Sequence, residues 1–278
     1  MTASPALTAF RKLHESGCFV LPNPWDIGSA KLLQHAGFQS IATTSAGVAF
    51  TRGLPDEVWA LPRNEMLTHI REMVAATALP VNADFQTGYA NDLEELAANI
   101  VACVDTGVAG LSIEDATGEP SSPLFDRAEA IERVKVARAA IDGTGIPVVL
   151  TARCEAYLVK HPDAERIALD RLVAFAEAGA DCLYAPTVID PAQIAAIVKA
   201  VAPRPVNVLV SSSTTGLTVP KLAELGVRRV SVGSALARVA WGAFLRSVHH
   251  IAQTGTFDSF GDAASFAELN AVFTRQPG

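Results

Sequence analysis

The chain lacks the features from which several classes of protein are built. Its four cysteines, Cys18, Cys103, Cys154 and Cys182, lie far apart and form no Cys-x-x-Cys pair, so zinc-ribbon and dithiol redox signatures are excluded. Three of them fall in apolar segments and read as small buried hydrophobes with reduced thiols. There is no run of about 18 apolar residues and no basic stretch leading into an apolar one, so no membrane span or secretory leader is expected, and a cytoplasmic setting is. A basic excess is also missing. Lys and Arg number 22 against 29 Asp and Glu, a formal net charge of −7, which argues against a nucleic-acid partner. None of the six histidines stands at the end of a strand-like segment, which weakens any histidine-based acid or nucleophile scheme. No glycine-rich nucleotide loop follows the first strand-like segment, where Pro22-Asn23-Pro24 stands instead.

What is present is a globular composition, with 50% apolar and 18% charged residues over 278 positions. Apolar strand-like segments are predicted at Cys18–Leu21, Ser40–Thr43, Pro80–Asp84, Val108–Ile113, Pro147–Thr151, Asp181–Tyr184, Pro205–Val210 and Arg229–Val232. Amphipathic helices alternate with them, among them Arg63–Ala76, Leu93–Thr106, Arg127–Ile141, Asp163–Ala178, Pro191–Val201 and Ser234–Ile251. Gly37, Gly107, Gly179 and Gly226 each end a helix just before a strand, the tight join expected on the bottom of a barrel. The longer polar segments follow strands. That asymmetry predicts an α/β (β/α)8 TIM barrel with its site at the carboxyl ends of the strands; a doubly wound open sheet is the runner-up. Residues 1–278 read as a single barrel domain. From about 255 to 278 a C-terminal helical extension carries Phe257, Phe260, Phe266, Leu269 and Phe273, apolar enough to pack on the barrel or on a partner subunit.

The chemistry gathers between Pro80 and Asp115. Pro80-Val81-Asn82-Ala83-Asp84 and Val108 to Ile113, the latter followed by Glu114-Asp115, are two strands joined by one helix. A right-handed βαβ crossover lays them parallel, so both acidic ends meet at one edge. Other strand ends add Thr44 and Ser45 in a small-residue turn, Gln86, Arg153 with Glu155, Tyr184 and Asn207, while Asp56 lies in the loop after strand 2. This oxygen-rich set, poor in histidine and thiolate, suits Mg²⁺ or Mn²⁺ rather than zinc. Plainer readings stand beside it. Asp56 or Asp115 alone can be a helix cap or surface charge, and Arg153 can simply pair with Glu155 or Glu114. Tyr184 can be a packed wall, and Ser211 to Thr215 a solvated loop.

Asn82-Ala83-Asp84-Phe85-Gln86-Thr87-Gly88-Tyr89, Gly110-Leu111-Ser112-Ile113-Glu114-Asp115 and Thr151-Ala152-Arg153 resemble the isocitrate lyase / phosphoenolpyruvate mutase superfamily. Thr43-Thr44-Ser45-Ala46-Gly47-Val48, Asp56 and Pro205-Val206-Asn207-Val208 extend the resemblance in the same order. The resemblance implies a Mg²⁺-bound barrel, commonly a homotetramer (a dimer of dimers) that exchanges its last helix between partner subunits. It assigns Asp84, Glu114 and Asp56 to the metal, mostly through water, and Thr44, Ser45 and Ala46 to the carboxylate and oxo group of a small 2-oxo carboxylate. Arg153 would neutralise developing charge, with Asp56 and Glu114 also in catalytic positions, and Tyr184 and Asn207 would line the pocket.

The departures are informative. The Lys-Lys-Cys-Gly-His loop of isocitrate and methylisocitrate lyases is replaced by Ala116-Thr117-Gly118-Glu119-Pro120, and the second acid of an Asp-x-Asp pair is Gln86. A glutamate those lyases carry near the end of strand 6 is replaced by Ala185-Pro186, and no lysine stands between Asp115 and Phe125. The expectation is a Mg²⁺-dependent lyase of 2-oxo dicarboxylates, led by oxaloacetate decarboxylation. Phosphonopyruvate-type P–C chemistry is one alternative, and a non-catalytic 2-oxo acid binding protein another.

Overall fold

Strands β1 (Phe19–Leu21), β2 (Ile41–Ala42), β3 (Val81–Asp84), β4 (Gly110–Glu114), β5 (Val149–Arg153), β6 (Cys182–Tyr184), β7 (Val206–Leu209) and β8 (Arg229–Ser231) are all parallel in the computed structural model, which describes residues 4–274. They pair in the order β1-β8-β7-β6-β5-β4-β3-β2. The remaining seam between β1 and β2 is bridged just beyond the strands, where the Ala42 amide donates to the Pro22 carbonyl at 3.0 Å and the Asn23 side-chain amide to the Thr43 carbonyl at 2.9 Å. The result is the expected (β/α)8 barrel. Both faces of the sheet are buried, one by barrel side chains and one by helices, which is why the strands read as apolar runs.

The outer layer follows from local sequence. Helix α2 (Ile27–His35) starts at a reciprocal cap in which Asp26 accepts from the Ser29 amide at 2.7 Å and Ser29 Oγ accepts from the Asp26 amide at 3.1 Å. Helices α4 (Arg63–Ala76), α5 (Leu93–Val104), α6 (Arg127–Thr144), α7 (Ala164–Glu177), α8 (Pro191–Val201) and α9 (Val219–Glu224) follow β2 to β7 in turn. Proline at the first or second position opens α8 and α9, where its missing N–H costs nothing. Gly107 and Gly179, with φ of 90° and 105°, turn the chain from helix to strand as expected.

Two features depart from the sequence reading. Thr44 to Gly47, expected as a turn, opens a short helix α3 (Ser45–Thr51) instead; Thr44 Oγ1 accepts the Gly47 amide at 3.2 Å and so acts as its N-cap. Strand β5 runs two residues past Thr151, so Arg153 sits on the strand itself. The first helix, α1 (Pro5–Leu13), is a plug under the barrel: Phe10 is fully buried and meets His14 and Phe19 edge-on, with ring centroids 4.7 and 6.3 Å away.

At the other end of the chain, α10 (Ala235–Thr254) buries only Ala237 among its 20 residues. In the extension, α11 (Phe266–Phe273) lies against α2, with the Phe273 ring beside Gly28. Phe257, Phe260 and Phe266 stay exposed. Residues 275–278 of the expected extension lie outside the described residues.

Candidate active site

One register row organises the interior. Glu114 on β4 pairs with Arg153 on β5, Arg153 with Tyr184 on β6, Tyr184 with Asn207 on β7, and Asn207 with Arg229 on β8. Because barrel strands tilt by about 36°, the row descends from the mouth at Glu114 to the floor at Arg229, where α1 closes the barrel.

At the mouth the acids converge. Arg153 Nη1 donates to Asp84 Oδ1 at 2.8 Å and lies 3.0 Å from Glu114 Oε2, while its Nε donates to Glu155 Oε1 at 2.8 Å. Asp84 and Glu114 therefore face the same point. The Arg153 guanidinium also stands 5.2 Å from the centre of the Tyr184 ring, within cation–π range. A cleft of about 480 Å³ opens above these groups. Besides them it touches Thr44, Ser45, Ala46, Asp56, Asn207 and Arg229, and it is roofed by the 116–123 loop. That loop is a small hairpin: Ala116 bridges Leu124, and the Thr117 amide donates to the Pro123 carbonyl at 3.1 Å.

Charge is unevenly distributed. Burial raises the Glu114 and Glu155 carboxyls well above the ordinary glutamate range, more than the neighbouring Arg153 lowers them, and the other nearby acids add to the rise. Glu155 Oε2 has no hydrogen-bond partner although the side chain is buried. Asp56, on the exposed lip, is raised by partial burial and then by the negative charge of Asp84. Burial pushes Tyr184 up to about 12, so its hydroxyl keeps its proton at neutral pH. Three carboxylates thus share one guanidinium, with Asp56 within its field but not in contact.

The sequence-predicted residues are brought together at one cleft, each with partners of its own. Ser45 is not a free donor, since its amide and hydroxyl both donate to Asp84 Oδ2, at 2.9 and 2.8 Å. The start of α3 places both groups on the carboxylate. Thr44 Oγ1 accepts the Gly47 amide as a cap and keeps its O–H to donate, and both Thr44 and Ala46 line the cleft. Asn207 is wholly buried, its amide fixed between the Arg229 Nε–H and the Ser231 hydroxyl.

Asp115 turns away from the cleft. It accepts from Arg171 Nη1 and from the Glu155 amide, both at 2.7 Å, and so pins the β4 and β5 loops together. Its role is thus structural, but as a buried ion pair and not the helix cap or surface charge expected.

Two roles were not visible in the chain alone. Gln86, at the former acid position, adopts φ of 45° and reaches sideways. Its Oε1 accepts the Trp59 amide at 2.9 Å and its Nε2 donates to the Glu57 carbonyl at 3.3 Å, holding the loop that carries Asp56. Trp59 Nε1 adds a bond to Thr87 Oγ1 at 2.8 Å. Arg229 was read only as the first residue of a strand. An arginine among the alternating inward positions of that strand was the signal that could have found it.

Comparison with known proteins agrees with this geometry. The sequence profile of the family Phosphoenolpyruvate phosphomutase matches residues 10–252. A solved Burkholderia cenocepacia J2315 protein described as a lyase/mutase is 44% identical over 98% of this chain and 96% of its own, with a TM-score of 0.93. The 2-methylisocitrate lyase of Escherichia coli K12 is 30% identical over 231 residues, 80% of this chain and 74% of that one. The oxaloacetate decarboxylase of Rhodopseudomonas palustris BisB5 is 31% identical over 195 residues, 68% of this chain and 65% of that one. The acids at neighbouring strand ends, the Arg153 between them and these likenesses together make the chain a member of the phosphoenolpyruvate phosphomutase family, within the isocitrate lyase / phosphoenolpyruvate mutase superfamily.

Proposed function

We propose that the protein is a divalent-metal-dependent lyase of small 2-oxo dicarboxylates, with oxaloacetate decarboxylation as its leading reaction. The observation that carries this reading is the convergence of Asp84 and Glu114 on one Arg153 nitrogen at the base of a cleft of about 480 Å³. The residues fit a hard cation by charge: an excess of oxygen donors, raised carboxyls at Glu114 and Asp56, and space for a hydrated ion. Among the described residues, no group of three or more His, Cys, Asp or Glu side chains is arranged to hold a metal directly. Asp84, Glu114 and Asp56 would therefore hold Mg²⁺, or Mn²⁺, mainly through its water shell. Bound there, the ion would act as a Lewis acid on the oxo and carboxylate oxygens of the substrate.

The chain's own groups do the rest. Arg153 supplies fixed positive potential where negative charge grows on the pyruvate-like fragment as the carbon–carbon bond breaks. Decarboxylation asks for little more, because CO₂ leaves without a base. Aldol-type cleavage would need an acceptor for a hydroxyl proton, and the 116–123 loop offers neither thiol nor imidazole. That loop also has no Lys or Arg to meet a phosphoryl group, which favours C–C over P–C chemistry. Roofing the cleft, it excludes water from the reacting centre. The likeness to an oxaloacetate decarboxylase supports the same choice.

We further read the chain as one domain, working in the cytoplasm as a dimer of dimers that exchanges its C-terminal helices. The support is an α10 helix exposing Val239, Phe244, Leu245 and Val248; no helix among the described residues is long and apolar enough to cross a membrane.

The test is pyruvate formation from oxaloacetate with Mg²⁺. The protein should exceed the rate of metal alone and lose that excess on chelation. Asp84→Asn and Arg153→Met should each lower it by about 100-fold or more while keeping the native circular dichroism. A wild-type rate equal to that of metal alone removes the proposal.

A further inference from the structure

Below the acids the barrel is filled in an unusual way. Interiors of this fold are mostly packed with Val, Ile and Leu. Here the buried side chains under the cleft include Asn82, Ser112, Thr151, Asn207 and Ser231. Arg229 lies among them, 2% exposed. Its Nε donates to Asn207 Oδ1 at 2.9 Å and its Nη2 to Thr151 Oγ1 at 3.0 Å. Its Nη1 lies 3.3 Å from His14 Nε2. The other ring nitrogen of His14 sits 2.8 Å from the Phe10 carbonyl and must donate to it; Nε2 is then the acceptor, and the ring is neutral.

Every partner of Arg229 is thus uncharged, and among the described residues no carboxylate comes within 4.0 Å of it. A buried charge left this way is costly unless something else balances it. The Asn207 amide orientation follows from it. With its oxygen turned to Arg229, its nitrogen donates to Ser231 Oγ at 2.9 Å, which leaves the Ser231 O–H to donate to the neighbouring Tyr184 hydroxyl or to a ligand. Ser231 and Arg229 both line the cleft. The floor therefore offers donors backed by a cation, at the far end of the descending row from the metal-side acids.

We infer that Arg229, acting directly and through Asn207 and Ser231, is the specificity-determining cation of this site, selecting ligands that carry a second carboxylate beyond the 2-oxo or 2-hydroxy acid unit. The inference rests on the proposed carboxylate-binding role of the cleft, and it assigns the second anionic group to the floor.

Malate and lactate test it, because both present a 2-hydroxy acid and differ by one carboxylate. Their Kd values are measured by calorimetry in Mg²⁺ on the full chain. Wild type should prefer malate by about ten- to a hundredfold, the range of one charge-assisted hydrogen bond. Arg229→Met should bring that preference to within about twofold by weakening malate alone, and Arg229→Lys, which keeps the charge but loses the fork that holds Asn207 and Thr151, should retain only part of it. Ser231→Ala, a small change that leaves the guanidinium anchored, should cut the preference about threefold or more with lactate unmoved. Equal weakening of both acids, or a wild type without preference, overturns the inference; so does an unchanged preference in Ser231→Ala if Arg229→Met does not fold. Oxaloacetate turnover is scored separately. A protein that prefers malate through Arg229 but makes no pyruvate sinks the lyase reading and leaves the inference standing.

Discussion

Single residues here carry opposing ionisation costs. His69 on α4 is buried, and its Nε2 has no hydrogen-bond partner. Burial, aided by the positive charge of Arg52, lowers its pKa from 6.5 to about 4. The unfolded chain therefore takes up a proton near pH 6.5 that the native state refuses until about pH 4. The contribution of this group to stability is complete above pH 6.5 and is lost as pH falls through that window, by up to about 1.4 kcal/mol per pH unit. The raised carboxyls of Glu114 and Glu155 act in the opposite sense, so the comparison must be made between proteins. Relative to wild type, His69→Met should gain stability steadily between pH 6.5 and 4, as read by urea unfolding. The same scale shows where the sequence was readable. Asp84, Glu114 and Arg153 could be read together because each ends a neighbouring parallel strand, at the edge where this fold places its site. The bonds of Ser45 and Gln86 did not, since each depends on a partner from a segment brought near only by the closed barrel.

At the scale of elements, the barrel depends on small residues where large ones would fit the strand pattern equally well. Gly110 opens β4, and a Cβ there would stand 2.6 Å from both Asn82 Oδ1 and Phe10 Cε1. Neither neighbour can easily yield, as Phe10 is wedged between His14 and Phe19. Gly110→Ala should cost about 1–3 kcal/mol by overpacking, measured by denaturant midpoint, and Gly143→Ala on the open face of α6 should cost far less. Helix and strand order was legible from periodicity, with α4 and α8 matching their expected bounds. Helix α3 was missed because Ser, Ala and Gly carry little periodic signal. Its Thr44 cap could have been recognised only by reading Thr-x-x-Gly as a start signal.

For the whole molecule, the unpartnered face of α10 is the largest statement the surface makes. Its Trp241 and Phe244 meet edge-on at 5.7 Å with the surrounding apolar residues exposed, and Phe266 of the extension is 89% exposed. Light scattering should give a mass several times 29.2 kDa, and Phe244→Glu combined with Leu245→Glu should reduce it toward the monomer. A wild type that stays monomeric at micromolar concentration contradicts the helix exchange. Architecture was thus legible to the extent that it repeats along the chain, while assembly could be expected only from the family resemblance and the phenylalanines of the tail. One consequence reaches from the first turn of the chain to its chemistry. Because His14, at the end of α1, touches the guanidinium of Arg229, that helix is foundation for the pocket; loosening it should disturb ligand choice in the cleft above, well before the fold itself gives way.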